Sequence, residues 1–127
     1  DGGSNYNVTK TTTAFRPYQF ENASSYGFGI QASDDLAQST AYQPLITSEQ
    51  GNGNDESLSG FFHLYGPSST TFVKHFVSRV NSYYFSNATT DNHIAGYGNT
   101  TSAVDAIRFE MSSGNIDAGH ICMYGIA

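Results

Sequence analysis

The four histidines are the residues of this chain best suited to binding a metal or transferring protons. His63, His75, His93 and His120 follow one another at intervals of 12, 18 and 27 residues. Zinc ligands usually occur in pairs separated by only about two to five residues, and the chain has no such pair. Cys122 is the single cysteine, so it cannot by itself supply a disulfide or a thiolate metal site. We therefore predict no metal site and no cofactor, with the imidazoles hydrogen-bonded or solvated on strands.

The sequence also shows no recognisable arrangement of residues for nucleophilic or acid–base catalysis. Serines are numerous, but none lies in the Gly-x-Ser-x-Gly turn that exposes a hydrolase nucleophile. The acidic pairs Asp34-Asp35 and Asp55-Glu56 could bind calcium or act as the acid and base of a glycosidase. Neither pair lies in an EF-hand-like ligand pattern, and each is typical of a solvated loop. The sequence therefore predicts a protein that is not an enzyme.

A Tyr- and Asn-rich stretch at residues 81–99 is the strongest candidate for ligand binding. Tyrosine offers rigid amphipathic area, and Ser, Gly and Asn supply adaptable hydrogen bonds. The stretch resists assignment to a regular element, so we predict a loop whose rings stack on a sugar or receptor while its amides bind hydroxyl groups. The predicted binding residues are Tyr83, Tyr84, Asn87, Asn92, His93 and Tyr97. The alternative is that Tyr83, Phe85 and Tyr97 pack inside a sandwich or at a trimer seam.

Charge and hydropathy limit the partners that this chain can take. The 127 residues carry a net charge of −6, and only 13% of them are charged. The acidic charge disfavours binding to a phosphate backbone, so no nucleic-acid partner is predicted. No run approaches the roughly 20 apolar residues that span a bilayer, so no membrane insertion is predicted. A low share of charged residues is tolerable where surface is buried between subunits, which favours an oligomer.

Short strands separated by turn residues are the elements that must position these side chains. Tyr and Phe number nine each among many Ser, Thr, Asn and Gly residues, a mixture that favours strands and turns over helices. The predicted strands of the first half are residues 6–13 and 18–31, the second with a bulge or close backbone approach at its glycines. Those of the second half are residues 59–65, 71–80, 106–111 and 120–126. A Gly-Pro-Ser-Ser turn joins residues 59–65 to 71–80 as a hairpin or a tight corner. Ile107, Phe109 and Met111 share one face of 106–111, and Cys122 is buried in 120–126. The other predicted features are one helical turn within 33–43 and an exposed loop at 50–57.

Two ordered motifs in the second half of the chain resemble a known family. Residues 59–76 read SGFFHLYGPSSTTFVKHF, which is similar to the SG-x-hydrophobic-x-LY-N/G-PSSTT-aromatic-x-KHF signature of a β-sandwich domain in phage virion and tail-fibre-like proteins. Residues 103–109 (AVDAIRF), 112–116 (SSGNI) and 123–126 (MYGI) resemble the V-x-AI-x-F…SSGNI…LYGI terminus of the same family. Together the motifs cover roughly the last 70 residues, and they indicate a family rather than a reaction.

The resemblance implies an all-β, antiparallel, jelly-roll-like β-sandwich formed by residues 1–127 as one domain. DGGSNY at residues 1–6 is similar to a loop inside such domains, so we expect the chain to be the C-terminal part of a longer polypeptide. The implied protein is a non-enzymatic tail fibre or capsid decoration on the virion surface. It would assemble as a homotrimer, contact other virion proteins and bind a host glycan or receptor. The alternative is a secreted lectin-like module, which the Tyr-rich stretch favours and the absence of Trp disfavours.

Overall fold

The computed structural model describes residues 5–126 and is all-β, as predicted. Five strands form one antiparallel sheet in the order β2-β1-β5-β4-β3. The strands are β1 (Lys10–Phe20), β2 (Tyr26–Ile30), β3 (Leu58–Leu64), β4 (Lys74–Tyr84) and β5 (Ala88–Gly98). The helical turn predicted within residues 33–43 is a short 3-10 turn, Ala32–Asp34, which begins one residue before that range. The sheet is thus the element that positions every candidate side chain.

The predicted Gly-Pro-Ser-Ser hairpin is confirmed as the connection between β3 and β4. The two strands pair antiparallel, with Gly60 opposite Val80. Gly66 has a φ of +54°, a left-handed conformation that glycine adopts without steric cost, and its carbonyl oxygen accepts the backbone N–H of Ser69 at 3.0 Å. A β-carbon on Gly60 would lie only 2.2 Å from the carbonyl oxygen of Arg79. Glycine is therefore required where β3 meets β4.

The prediction of a loop at residues 81–99 is wrong, because this stretch forms the end of β4, a tight turn and all of β5. Asn87 occupies the turn with a φ of 60°, a conformation that asparagine tolerates, and its N–H donates to the carbonyl oxygen of Tyr84 at 2.9 Å. β5 pairs with both β1 and β4, so it lies at the centre of the sheet. Packing between two neighbours outweighs the modest β-propensity of its Thr, Asn and Gly residues.

A small apolar core lies on one face of the sheet, which we call the inner face. Ala14, Phe76 and Ile94 form its buried centre, and the partly buried Phe62 and Leu64 pack against them. The rings of Phe62 and Phe76 stack with centroids 5.3 Å apart. These side chains come from four different strands. The core therefore ties β3, β4, β5 and β1 together.

Beyond this core, the inner face buries several polar side chains, and the segment between the 3-10 turn and β3 covers them. Ser82, Thr90 and Asn92 are all buried there. The backbone N–H and the hydroxyl of Thr47 both donate to Oδ1 of Asn92 at 2.9 Å, and the hydroxyl of Ser48 lies 3.1 Å from that of Thr90. These hydrogen bonds thus fasten the covering segment to the sheet.

The prediction of strands at residues 106–111 and 120–126 is wrong, since the described chain is irregular after β5. A strand exists only where its backbone shares hydrogen bonds with a neighbouring strand. Among residues 5–126, no segment pairs in a ladder with either stretch. Cys122, which was predicted to be buried in the last strand, is exposed for the same reason.

The alternation that predicted the first of these strands is nevertheless present in the side chains. Nη2 of Arg108 lies 2.7 Å from Oε2 of Glu110, so these two side chains point the same way. Phe109 points to the other side and meets Phe62 edge-on, with ring centroids 6.1 Å apart. The segment is thus extended and amphipathic, but it lacks a backbone partner.

A single sheet accounts for every strand between residues 5 and 126. The loop predicted at residues 50–57 is irregular and mostly exposed, apart from one bridge between Gln50 and Tyr84. The covering segment and the stretch around Phe109 both contact the inner face. The opposite face, which we call the outer face, has no strand layer packed on it within the described chain.

Candidate binding face of the sheet

The outer face is built from alternate residues of all five strands. Side chains alternate in direction along a strand, so the ladder register places Ile30, Phe15, His93, Arg79 and Phe61 in one row across the sheet. The row runs from one edge strand to the other. It therefore sets apolar side chains at both edges with polar groups between them.

An aromatic cluster covers the outer face at β2, β1 and β5. Phe15 and His93 stack with ring centroids 4.6 Å apart and planes inclined by 9°, and Phe28 packs on Phe15 at 5.4 Å. The side chains of β2 stay open to solvent, with Tyr26, Phe28 and Ile30 exposed by 77%, 67% and 63%. Contiguous exposed apolar side chains of this kind mark interaction sites more often than free surface.

A second aromatic cluster lies at the other half of the outer face. Phe61 and His63 of β3 have ring centroids 4.8 Å apart, and His63 meets Tyr65 edge-on at 6.4 Å. On the neighbouring strands, His75 lies 6.0 Å from Tyr97. Each imidazole thus contacts an aromatic ring. Within residues 5–126, no group of three or more His, Cys, Asp and Glu residues is arranged to hold a metal ion.

An ion pair lies between the two aromatic clusters. Arg79 donates to Asp91 from Nε at 3.0 Å and from Nη2 at 2.8 Å, and Nε2 of His93 lies 3.1 Å from Oδ2 of the same carboxylate. The hydrogen bond from Arg79 lowers the pKa of Asp91, while partial desolvation acts in the opposite direction. The same hydrogen bond and charge raise the pKa of Arg79. The outer face therefore has a planar polar centre in which each charge is compensated by the other.

Two shallow, adjoining depressions lie beside this ion pair. The larger has a volume of about 280 Å³ and is lined by Phe61, Arg79 and Asp91. Ser59 and Asn81 line it as well and continue into the second depression, of about 170 Å³, which extends toward the β4–β5 turn. Both are wide open to solvent. They could hold a side chain or one unit of an extended ligand, but they do not enclose a small molecule.

Tyr83 lies on the outer face at the end next to this turn. Its hydroxyl donates to Oδ1 of Asn87 at 3.2 Å, and the Glu21 carboxylate is an alternative acceptor. Partial desolvation raises the pKa of Tyr83 most, followed by hydrogen bonding to Glu21 and the negative charges of Glu21, Asp55 and Glu56. The phenol is therefore a hydrogen-bond donor at neutral pH. The acidic surroundings disfavour an anionic ligand at this end of the face.

The predicted binding residues do not form one site. The structure places Tyr83, His93 and Tyr97 on the outer face, Asn87 in the turn, and Tyr84 and Asn92 on the inner face. Asn92 is 0% exposed, and both ends of its amide are hydrogen-bonded within the fold. It cannot reach a ligand on the assembled sheet. Tyr84 instead packs edge-on against Phe20, with ring centroids 6.3 Å apart.

Sequence reasoning missed four residues of the outer face, namely Phe15, Phe28, Arg79 and Asp91. One usable signal was present. Arg79 and Asp91 are opposite charges placed 12 residues apart on either side of a turn-forming Asn, a spacing that brings them together when the intervening segment forms a hairpin. Phe15 and Phe28 lie on the local β1–β2 hairpin, and only the long-range pairing of β1 with β5 brings this hairpin to the strand that carries Asp91.

No helix within the described chain is long and apolar enough to cross a membrane. Comparison of the chain with protein-family models, with curated proteins and with solved structures finds no match.

Proposed function

We propose that this chain is a non-enzymatic module of a phage virion appendage, a tail fibre or capsid decoration, and that it makes its assembly contacts through the outer face. The observation that carries the proposal is the exposed aromatic surface of that face, where Phe28 and Tyr26 are 67% and 77% exposed. The phage setting comes from the resemblance of residues 59–76 and 103–126 to virion sandwich domains.

The residue types of the outer face suit a protein partner. Interface cores are enriched in Tyr, Phe and Arg and depleted in Lys, Glu and Asp. Arg79 and Asp91 are the two formally charged strand residues on this face, and they are paired with each other at 2.8 Å. Burial of the strand residues of this face would therefore leave both of these charges paired. This matters because removing an unpaired charge from water costs several kcal/mol or more.

Ring orientation also favours a protein partner in the cluster at β1 and β5. Phe15 and His93 are nearly parallel at 4.6 Å, so each ring covers one face of the other. A sugar stacks on the free face of an aromatic ring, whereas a protein side chain packs equally well against ring edges. This half of the outer face thus fits an apolar protein surface better than a saccharide.

A second β-sheet is the partner that fits the outer face of a twisted sheet best. Sheets stack face to face about 10 Å apart, with side chains of the two facing surfaces interdigitated. We propose that such a layer covers the outer face in the assembled appendage and completes a β-sandwich, with three copies per assembly. The sandwich would then be a property of the assembly on the virion.

A carbohydrate-binding module is the second candidate, and the depression beside Phe61 is the observation that favours it. Asn81, Ser59 and the Arg79–Asp91 pair supply donors and acceptors around that ring, which is the combination that binds sugar hydroxyl groups. The acidic residues near Tyr83 would select neutral rather than anionic sugars.

Sedimentation analysis of two matched variants tests the protein-contact proposal. Phe28→Lys places a charge on the outer face, while Phe72→Lys places one in the β3–β4 loop at a side chain that is equally open, 72% against 67% exposed. We expect Phe28→Lys alone to abolish self-association and incorporation into phage particles. If both variants assemble like the wild type, the outer face is not the contact.

Glycan-array binding distinguishes the second candidate. Loss of binding to neutral glycans in Asn81→Ala, combined with normal binding in Phe28→Lys, would favour the carbohydrate-binding module over the virion module. The phage setting itself is tested by peptide mass spectrometry of purified phage particles. There we expect peptides of this chain in copy numbers that are multiples of three, and their absence from particles would contradict the proposal.

A further inference from the structure

We infer that residues 120–126 of one copy of this chain add as a strand to the free edge of β3 in a second copy. The inference rests on the proposed assembly and names a contact within it. It concerns the edge of the sheet, whereas the proposed function concerns the outer face. The two contacts use different groups, so each can fail separately.

The segment 120–126 has the composition of a strand that is buried on both sides. Its sequence is HICMYGI, with Ile121 and Met123 on one side of an extended chain and Tyr124 and Ile126 on the other. In the single copy these side chains are exposed by 70%, 93%, 82% and 93%. An apolar segment this exposed is stabilised by any partner that removes it from water.

β3 offers an unpaired strand edge of matching length. Its ladder is made with β4 alone, and the bordering hydrogen bonds join Ser57 to Tyr83 and Tyr65 to His75. In an antiparallel ladder the backbone groups of alternate residues point to opposite edges. Those of Leu58, Gly60, Phe62 and Leu64 therefore point to the open edge. β3 spans seven residues, as many as the segment from His120 to Ile126.

The β3 edge also lacks the features that normally keep sheet edges apart. Natural edge strands are protected by Lys, Pro, inward-pointing charges or bulges. The β3 sequence LSGFFHL contains no charged residue and no proline, and its pairing with β4 runs without a bulge from Leu58 to Leu64. β2, the other edge, is only five residues long. The longer edge can form more backbone hydrogen bonds, and for that reason we choose β3.

A second copy is the occupant because the segment does not dock on its own sheet. The stretch before it contacts its own sheet through the Phe62–Phe109 ring pair and through the hydrogen bond from Val104 N to Pro67 O at 2.8 Å. Ile116 is 53% exposed, and residues 117–126 are all exposed. A contact in which the segment of each copy meets the β3 edge of the next is heterologous, and such contacts form a ring when the rotation between copies closes. A ring of three would match the proposed trimer.

Disulfide trapping tests the inference directly, because Cys122 is the one thiol of the chain. Wild-type chain would be mixed with a size-tagged copy that carries Cys122→Ser together with a new cysteine on β3, either Ser59→Cys or His63→Cys. The matched control carries Cys122→Ser with Gly29→Cys on the β2 edge, where a β-carbon has ordinary space. We expect the mixed disulfide to form at least tenfold faster with a β3 cysteine than with the β2 control.

The remaining outcomes overturn the inference in distinct ways. Equal trapping at both edges would mean that the segment collides at random, and preferential trapping at β2 would assign it to the other edge. A chain that carries both Cys122 and Ser59→Cys and forms only the internal disulfide would show that the segment pairs with its own sheet.

Truncation after Gly119 separates the edge contact from the outer-face contact. The inference expects the truncated chain to lose the ring-forming contact and sediment as a smaller species, with its circular dichroism unchanged. If truncation has this effect while Phe28→Lys assembles normally, the edge contact stands and the outer-face proposal fails. The reverse result overturns the edge contact and leaves the outer-face proposal intact.

Discussion

Replacement of Asn92 by alanine tests whether this buried amide holds the fold or binds a ligand. Oδ1 of Asn92 accepts hydrogen bonds from the backbone N–H and the hydroxyl of Thr47, both at 2.9 Å. Nδ2 donates to the carbonyl oxygen of Val80 at 3.1 Å and lies 3.2 Å and 3.4 Å from the hydroxyls of Thr90 and Ser82. The side chain therefore links the covering segment to the two central strands.

The expected loss of stability follows from the hydrogen-bond partners that Asn92→Ala would leave unsatisfied. A neutral hydrogen bond contributes about 0.5–1.5 kcal/mol net, and a buried polar group left without a partner costs about 1–3 kcal/mol. Asn92→Ala removes both bonds to Thr47 and the bond to Val80, and it leaves a backbone N–H of the covering segment without its acceptor. We expect the free energy of unfolding to fall by about 2–4 kcal/mol, which for a chain of this length lowers Tm by roughly 8–16 °C.

Thermal and urea unfolding at one fixed protein concentration would measure this loss. Asn81→Ala is the matched control, since Asn81 lies on the neighbouring strand but on the outer face, where its Nδ2 donates to the Thr89 hydroxyl at 2.8 Å. Its loss should stay below about 1 kcal/mol. Equal losses in the two variants, or a wild-type Tm for Asn92→Ala, would refute the structural role of Asn92.

Three further variants probe other contacts of the sheet. Asp91→Asn removes the carboxylate held by Arg79. Because the folded-state pKa of Asp91 lies below its ordinary value of 3.8, the contribution of the pair to stability is fully present above that pH and is lost as the pH falls through the folded-state pKa. The Tm values of Asp91→Asn and wild type should therefore converge in acid, and a difference that stays constant down to about pH 2 would contradict this. Gly60→Ala places a methyl group 2.2 Å from a backbone carbonyl oxygen and should destabilise the fold by about 1–3 kcal/mol in urea. Gly29→Ala, with its nearest atom at 3.7 Å, should change stability by about 0.5 kcal/mol at most, and equal effects of the two glycine variants would argue against the close approach of β3 to β4. Ile94→Ala truncates a core side chain that is 2% exposed and should cost about 2–5 kcal/mol in the same assay, so a loss below about 1 kcal/mol would show that this core is not tightly packed.

Local turn chemistry made part of the sheet predictable. The Gly-Pro-Ser-Ser turn and the aromatic run before it indicate β3 and β4 without any knowledge of the remaining chain. β5 was missed because it places Thr90 and Asn92 on the buried side, so the two-residue alternation that identifies a half-buried strand is hidden. Its central place depends on pairing with β1, which no local pattern reveals.

The residues of the outer face were predictable only in part, because strand pairing decides which side chains lie on it. Composition drew attention to Tyr83, His93 and Tyr97, which the register of β4 and β5 places on the outer face. It could not separate them from Asn92, because an amide serves equally well as a ligand contact and as a buried link between segments. Only the register of β4 and β5 decides which residues face outward. Phe28 reaches the same face through the local β1–β2 hairpin and through the β1–β5 ladder, and the second of these connects distant parts of the chain.

The many polar residues buried on the inner face and the exposed rings of the outer face link the stability of the sheet to the proposed assembly contact. Much of the buried inner surface is made of residues such as Ser82 and Thr90, whose hydrogen bonds each contribute only about 1 kcal/mol net. Full burial of a Phe-sized side chain contributes about 1.5–3 kcal/mol, and Phe28 is 67% exposed in the single copy. The larger apolar gain is thus available on association. The proposed second β-layer on the outer face would therefore link stability to assembly by mass action.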